Sequence, residues 1–364
     1  MDKLLGFGCM RLPMNGSEVD YDEFNKMIDY YLDNGFNYFD TAHGYINGKS
    51  EIAIRECLAK RYDRSKYILT NKLTDVYFKK EEDLEDLFNT QLEACGVEYF
   101  DYYLMHAQNR DNYKHFMKCR AYEFAKKLKE EGKIKHIGIS FHDTSDILEN
   151  ILKEHEEIEI VQIQFNYVDY IDSSVQSKEC YEVCRKYNKQ ILIMEPVKGG
   201  GLVRLPEEAK EIFDKLNSDL SYASYAIRFA ASFDGVYKVL SGMSNLEQMK
   251  DNISYMKDFK RITDEERKAI DNVAIILKNL GGIPCTACRY CVAGCPMNIK
   301  IPDLFACYNA KKQFNDWNSS MYYGVSTKDS GKASDCIKCG QCEMVCPQHI
   351  NIREKLEEVA KMFE

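Results

Sequence analysis

Residues 36–61 read FNYFDTAHGYINGKSEIAIRECLAKR. "FNYFDTA" reads as a short buried strand, and "KSEIAIRECLAKR" as the helix that follows it. The same unit recurs on both sides. Before it stands "KLLGFG" with "EFNKMIDYYLDNG", whose Gly35 suits a helix stop. After it come "KYILTNK" with "DLEDLFNTQLEACG", "FDYYLMH" with "MKCRAYEFAKKLKEEG", and "IKHIGIS" with "TSDILENILKEH". "EIVQIQFN" with "SSVQSKECYEVCRKY", "QILIMEP" with "SYASYAIRFAA", and "VYKVLSG" with "NLEQMKDNISYM" complete eight alternations. Strand–helix repeats with short links demand parallel strands and right-handed crossovers. Eight of them predict a closed (β/α)8 TIM barrel, with an open doubly wound sheet as the competing architecture.

Working outward, the barrel pattern fills residues 1–260. A helical linker follows over 261–281, where "TDEERKAIDNVAIILKNL" runs into the breaker "GGIP". Residues 282–364 form a small cysteine-rich domain that ends in the charged helix "REKLEEVAKMF". The 364-residue chain is 45% hydrophobic and 29% charged, an ordinary globular balance. A net charge of −9 argues against nucleic acid and anionic membrane as partners. No apolar run approaches the roughly 20 residues that span a bilayer. "MDKLLGFGCMRLP" lacks the apolar core and flanks of a signal peptide, so a cytoplasmic location is expected.

Fifteen cysteines are too many for disulfides in a reducing compartment. Seven (Cys9, Cys57, Cys95, Cys119, Cys180, Cys184 and Cys307) lack ligand spacing and are expected to be small buried apolar residues. The other eight lie in "CTACRYCVAGCP" (285–296) and "CIKCGQCEMVCP" (336–347), each spaced C-x2-C-x2-C-x3-C-P. Three thiolates of such a run can face one cubane while the fourth swings away. The segment therefore resembles a bacterial-type ferredoxin with two [4Fe–4S] clusters, in which the fourth cysteine serves the other cluster. That resemblance assigns Cys285, Cys288, Cys291 and Cys346 to one cluster, and Cys336, Cys339, Cys342 and Cys295 to the second. Zinc is the alternative for paired CxxC motifs, but two complete Cys-Pro runs disfavour it. About forty residues separate Cys295 from Cys336. The aromatic insert "FACYNAKKQFNDWNSSMYYGVS" is expected to pack on the barrel or to cover a cluster.

Four polar residues sit at or just beyond successive strand ends: Asp40, Tyr45, Lys72 and His106. Barrel active sites form at that face. Lys72, held by Asp40, should favour the phenolate of Tyr45 and lower its pKa, and His106 could orient a carbonyl oxygen. With "DTAHGY…GKSE", "NK" and "LMH" in this order, the chain from Leu4 to Met256 looks like an aldo-keto reductase. The resemblance implies Tyr45 as general acid toward a carbonyl reduced by NAD(P)H, tuned by Lys72 and Asp40, with His106 positioning the substrate. It also implies Ser140 and Gln162 at the nicotinamide carboxamide and Asn252 near the adenine.

Departures from the family accompany the match. Met194 stands where an aromatic commonly stacks on the nicotinamide, and Phe141 where an Asn follows the Ser. Gly242 and Gln248 stand where NADPH users often carry Lys and Arg, the cations best suited to a 2′-phosphate. Glu195 lies beside the expected pyrophosphate path, while "KGGGL", with Lys198 and Gly199, could wrap phosphates. Hydride carries two electrons and a cluster one, so a flavin is the usual mediator. FMN bound at barrel loops is the second reading of the cofactor. The reading that follows is an iron–sulfur oxidoreductase acting on a small carbonyl, its clusters exchanging electrons with an external ferredoxin or flavodoxin. A flavin-binding repurposed barrel and a non-catalytic electron-transfer protein are the alternatives.

Overall fold

The computed structural model describes residues 3–173, 175–217, 219–285, 287–346 and 348–364. Thr286 and Pro347 of the two cysteine runs lie outside the described residues, and so does the second Cys-Pro turn. Eight parallel strands close on themselves: β1 (Leu5–Gly8), β2 (Tyr38–Asp40), β3 (Ile68–Leu73), β4 (Phe100–Gln108), β5 (Ile134–Phe141), β6 (Ile160–Gln164), β7 (Gln190–Met194) and β8 (Val236–Ser241). Pairing of β1 with both β2 and β8 shuts the ring, which excludes the open sheet. Helices α1 (Tyr21–Asp33), α2 (Lys49–Ile54), α3 (Asp83–Cys95), α4 (Ala121–Glu130), α5 (Ser145–Glu154), α6 (Ser177–Lys186), α7 (Tyr222–Ala231) and α8 (Leu246–Met256) alternate with the strands. A small hairpin, Met14–Asn15 with Glu18–Val19, sits between β1 and α1 and has no counterpart in the sequence reading.

The first helix shows why these segments adopt their forms. Asp20 caps α1 by accepting from Glu23 N at 3.0 Å, and Phe24, Met27, Ile28 and Tyr31 form its buried stripe. The strands alternate with period two, so every second side chain points to the barrel axis. Tyr38, Tyr102, Leu104, Ile160, Leu192 and Leu240 fill that interior. Gly138 makes room for them: a Cβ there would lie 2.5 Å from Leu104 Cδ2 and from Ile160 Cγ2. In the same phase, one step nearer the strands' C-termini, come Asp40, Lys72, His106, Ser140 and Gln162.

Two compact units make up the chain. One comprises the residues up to Asn166, Ser177–Pro196 and Ser224–Ile262. The other comprises Tyr167–Gln176, Val197–Ala223 and Thr263–Glu364, so it includes the segments that follow β6 and β7. Its helices include Glu207–Asn217, α9 (Asp264–Lys278), α10 (Ile301–Phe314), α11 (Asn318–Thr327) and α12 (Ile352–Phe363). A capping box of Thr263 and Glu266 starts α9. Ile299, Ile301, Leu304, Phe305, Ile352, Leu356 and Val359 form a separate core with Cys291 and Cys342 at its edge. The insert between the cysteine runs forms most of α10 and α11, and its Phe305 borders one cysteine-lined cavity. All seven cysteines without ligand spacing are buried, as expected.

Candidate active site and cluster-binding cysteines

Lys72 is fully buried, and its Nζ lies 2.5 Å from Asp40 Oδ1, 2.8 Å from the Thr41 carbonyl and 3.2 Å from Tyr45 Oη. The three donor directions of the ammonium are thus spoken for. Burial pulls the Lys72 pKa down, but Asp40 and Tyr45 outweigh it and hold the ammonium above the usual lysine range. Burial pushes the Asp40 carboxyl up, against the opposing pull of Lys72. Tyr45 departs from the sequence expectation. Lys72 does favour its phenolate, yet burial dominates and the hydroxyl ends above the ordinary tyrosine value.

His106 faces Tyr45 edge-on, ring centroids 6.1 Å apart, and its Nδ1 lies 2.7 Å from Thr74 Oγ1. Burial, then Lys72 and His142, drive its pKa well below the histidine norm, so the ring is neutral near pH 7. His142 at the end of β5 is pushed down to about 4 by burial and Lys72. Sequence reading missed Thr74 and His142. Both continue the period of two past a strand end, Thr74 after Lys72 and His142 after Ser140, and that phase is the signal that finds them.

The cofactor candidates fall into two groups. Ser140 and Gln162 are buried at adjacent positions of β5 and β6. Ser140 Oγ accepts from Ala107 N at 2.7 Å, which leaves its own proton to donate. Asn252 is engaged on both ends: its Nδ2 donates to Ser241 Oγ at 2.7 Å, and its Oδ1 accepts from Tyr255 Oη at 2.6 Å. Lys198 pairs with fully buried Asp169 at 2.5 Å and lies over the Phe314 ring. Gly199 packs on the Asp316 carboxylate and Gly201 on Phe314. The glycine-rich loop is therefore filled by side chains of its own unit. Arg11 pairs with Glu195 at 3.4 Å and lies close over Gly242, so the Glu195 carboxylate is partly neutralised.

The ferredoxin-like cysteines frame two cavities. Cys285, Cys288, Cys291 and Cys346 line one, and Cys295, Cys336, Cys339 and Cys342 the other. This is the interleaved division that the ferredoxin resemblance implies. Among the described residues no three His, Cys, Asp or Glu side chains converge on a point that would hold one ion. Four cysteines around each cavity match the donor set of a [4Fe–4S] cluster.

Comparison with known proteins agrees with this geometry. The aldo/keto reductase family model matches residues 4–275, three quarters of the sequence. The chain belongs to the aldo/keto reductase family. Its C-terminal segment, residues 284–350, matches the 4Fe-4S dicluster domain. The reductase is 24% identical over 302 residues to the uncharacterized oxidoreductase YqkF of Bacillus subtilis, covering 74% of this chain and 91% of that one. It is also 24% identical over 183 residues to the NADH-specific methylglyoxal reductase of Escherichia coli, covering 46% of this chain and 54% of that protein. Among solved structures it superposes on aldo-keto reductase AKR11C1 from Bacillus halodurans with TM-score 0.60 and 24% identity, over 74% of this chain and 91% of that one. An aldo-keto reductase from Klebsiella pneumoniae in complex with NADPH gives TM-score 0.61 at 17% identity, over 74% and 90%. These likenesses establish the fold. No helix among the described residues is long and apolar enough to cross a membrane.

Proposed function

We propose that this aldo/keto reductase interconverts a small carbonyl compound and its alcohol with a nicotinamide dinucleotide. In this reading Cys285, Cys288, Cys291 and Cys346, and Cys336, Cys339, Cys342 and Cys295, would hold two [4Fe–4S] clusters that would supply single-electron exchange with an external ferredoxin- or flavodoxin-like carrier. One observation carries the catalytic half: a fully buried Lys72 held between Asp40 and the Tyr45 hydroxyl. When bound, the nicotinamide supplies or takes the hydride. Tyr45 Oη gives its proton to the carbonyl oxygen, and Lys72 stabilises the phenolate left behind. Asp40 keeps Lys72 charged. His106 is neutral; with Thr74 donating to Nδ1, its Nε2–H points the substrate oxygen toward Tyr45.

Ser140 and Gln162 suit a carboxamide at the hydride-transferring end. The phosphate end suits NADH better than NADPH. Gly242 and Gln248 carry no cation of their own, although the Arg11 guanidinium lies over Gly242, and the Glu23 carboxylate accepts from Leu246 N at 3.0 Å at the start of α8. The NADH-specific relative is consistent with this preference. The cysteine quartets suit two cubanes, which together would hold two electrons, the electron count of a hydride; the proton would pass separately, and exchange with the nicotinamide would need a mediator of both one- and two-electron steps.

The test is anaerobic purification, an optical spectrum of released cofactor, and NADH and NADPH oxidation with a panel of small aldehydes that includes methylglyoxal. Turnover that prefers NADH supports the reading. A yellow flavin supernatant with no nicotinamide turnover would replace it with the flavin barrel.

A further inference from the structure

Tyr45 is carried by an unusual turn. Ile46 (φ 52°), Asn47 (φ 54°) and Gly48 (φ 83°) follow it, three consecutive residues in the left-handed region. Gly48 tolerates this freely, but a β-branched residue such as Ile46 does so only under strain. Such strain persists where the surroundings over-determine the backbone. Here they converge on one carboxylate. Glu51, with a side chain only 1% exposed, takes His43 Nδ1 at 2.7 Å on one oxygen and Asn71 Nδ2 at 2.8 Å on the other. His43 precedes Tyr45 by two residues. Its ring stands edge-on to Tyr77 at 4.7 Å, and the Tyr77 hydroxyl also closes over Gly44.

The other arm of Glu51 leads to the lysine. Asn71 Oδ1 accepts from the Lys72 N–H at 2.8 Å, and Gln91 Nε2 donates to the Lys72 carbonyl at 2.9 Å. One hydrogen-bonded chain therefore runs from a partly exposed histidine to the backbone of the buried ammonium. We propose that His43 is a positioning residue: clasped to Glu51, it holds the strained turn of Tyr45 in register with Lys72. This rests on the reductase reading above. A hydrogen bond between ionised groups is stronger than a neutral one, so the clasp tightens when His43 is protonated. Glu51 on α2 and Tyr77 on the turn after β3 are the titratable groups that face it.

The experiment uses the cluster-loaded full chain and the variants His43→Phe and His43→Gln. Deuterium exchange is followed over residues 43–55, and kcat and KM for carbonyl reduction are measured from pH 6 to 9. His43→Phe should speed exchange of the turn severalfold and lower kcat about tenfold or more, with KM nearly unchanged, because a small misplacement of a reacting group is costly. His43→Gln, which restores an uncharged donor, should recover much of kcat and lose any pH dependence the clasp confers. Unchanged exchange overturns the proposal, and so does faster exchange with unchanged kcat. If His43→Phe fails to fold, the comparison of His43→Gln with the wild type across the same pH range decides in the same way. A wild type without carbonyl turnover sinks the reductase reading; the exchange arm then decides whether His43 holds the turn.

Discussion

Lys72 Nζ and Asp40 Oδ1 meet at 2.5 Å between neighbouring strands, both side chains shut off from solvent. Two charges buried together are tolerable only as a pair, and removing one leaves the other stranded at a cost of about 3–5 kcal/mol. Lys72→Met should therefore lower stability by that order, read from urea denaturation, as well as abolishing turnover. Combining it with Asp40→Leu should restore most of the stability and none of the activity. Equal stability of the single and double variants would show that the pair is not energetically coupled.

Tyr45→Phe should cut carbonyl reduction by about 10²–10⁴-fold, the usual weight of a general acid, with the cluster spectrum untouched. Because burial lifts the Tyr45 hydroxyl above its ordinary value near 10, the acid stays protonated through neutral pH. In His43→Gln, which removes any dependence on that histidine, the rate profile should stay flat from pH 7 to about 9 and fall only at more alkaline pH. A falling limb near pH 7 would assign the proton to another group.

His106 and His142 are both pushed below the ordinary histidine value, His142 to about 4. The sign follows directly. Below about pH 6.5 the unfolded chain takes up protons that the folded chain refuses, so stability falls with falling pH. Each group contributes a slope of up to about 1.4 kcal/mol per pH unit until its folded pKa is reached. His142→Gln should flatten the melting temperature between pH 4 and 6.5; an unchanged slope would refute the assignment.

Cys346 closes the cavity of the first cysteine run and Cys295 that of the second. Wild-type protein should carry about eight Fe per chain. Cys346→Ser should perturb the cluster held by Cys285, Cys288 and Cys291, not the one held by its own run. Electron paramagnetic resonance of Cys346→Ser and Cys295→Ser, each compared with Cys288→Ser and Cys339→Ser, checks the crossing. Cys346→Ser spectra that match those of Cys339→Ser would reverse it.

Gly138→Ala should cost about 1–3 kcal/mol by overpacking, since the new methyl would press on Leu104 and Ile160 inside the barrel. Thermal unfolding measures it, and an unchanged midpoint would mean that the interior yields.

Much of this protein was legible before folding because its signals are local. The strand–helix alternation defined a barrel, strand ends pointed to Asp40, Lys72 and His106 at one face, and the family resemblance added Ser140 and Gln162. Each cysteine run showed its cluster type through spacing alone. Tertiary structure decided the rest, because burial and partnership depend on which distant residues pack together. It set the acidity of Tyr45, where desolvation outweighs the nearby ammonium. It gave Lys198 to Asp169, Asn252 to Ser241 and Tyr255, and Glu195 to Arg11. It also placed the segments after β6 and β7 in the same compact unit as the cluster domain. No spacing rule reports such contacts, since they join residues far apart in the chain and exist only once the chain has closed.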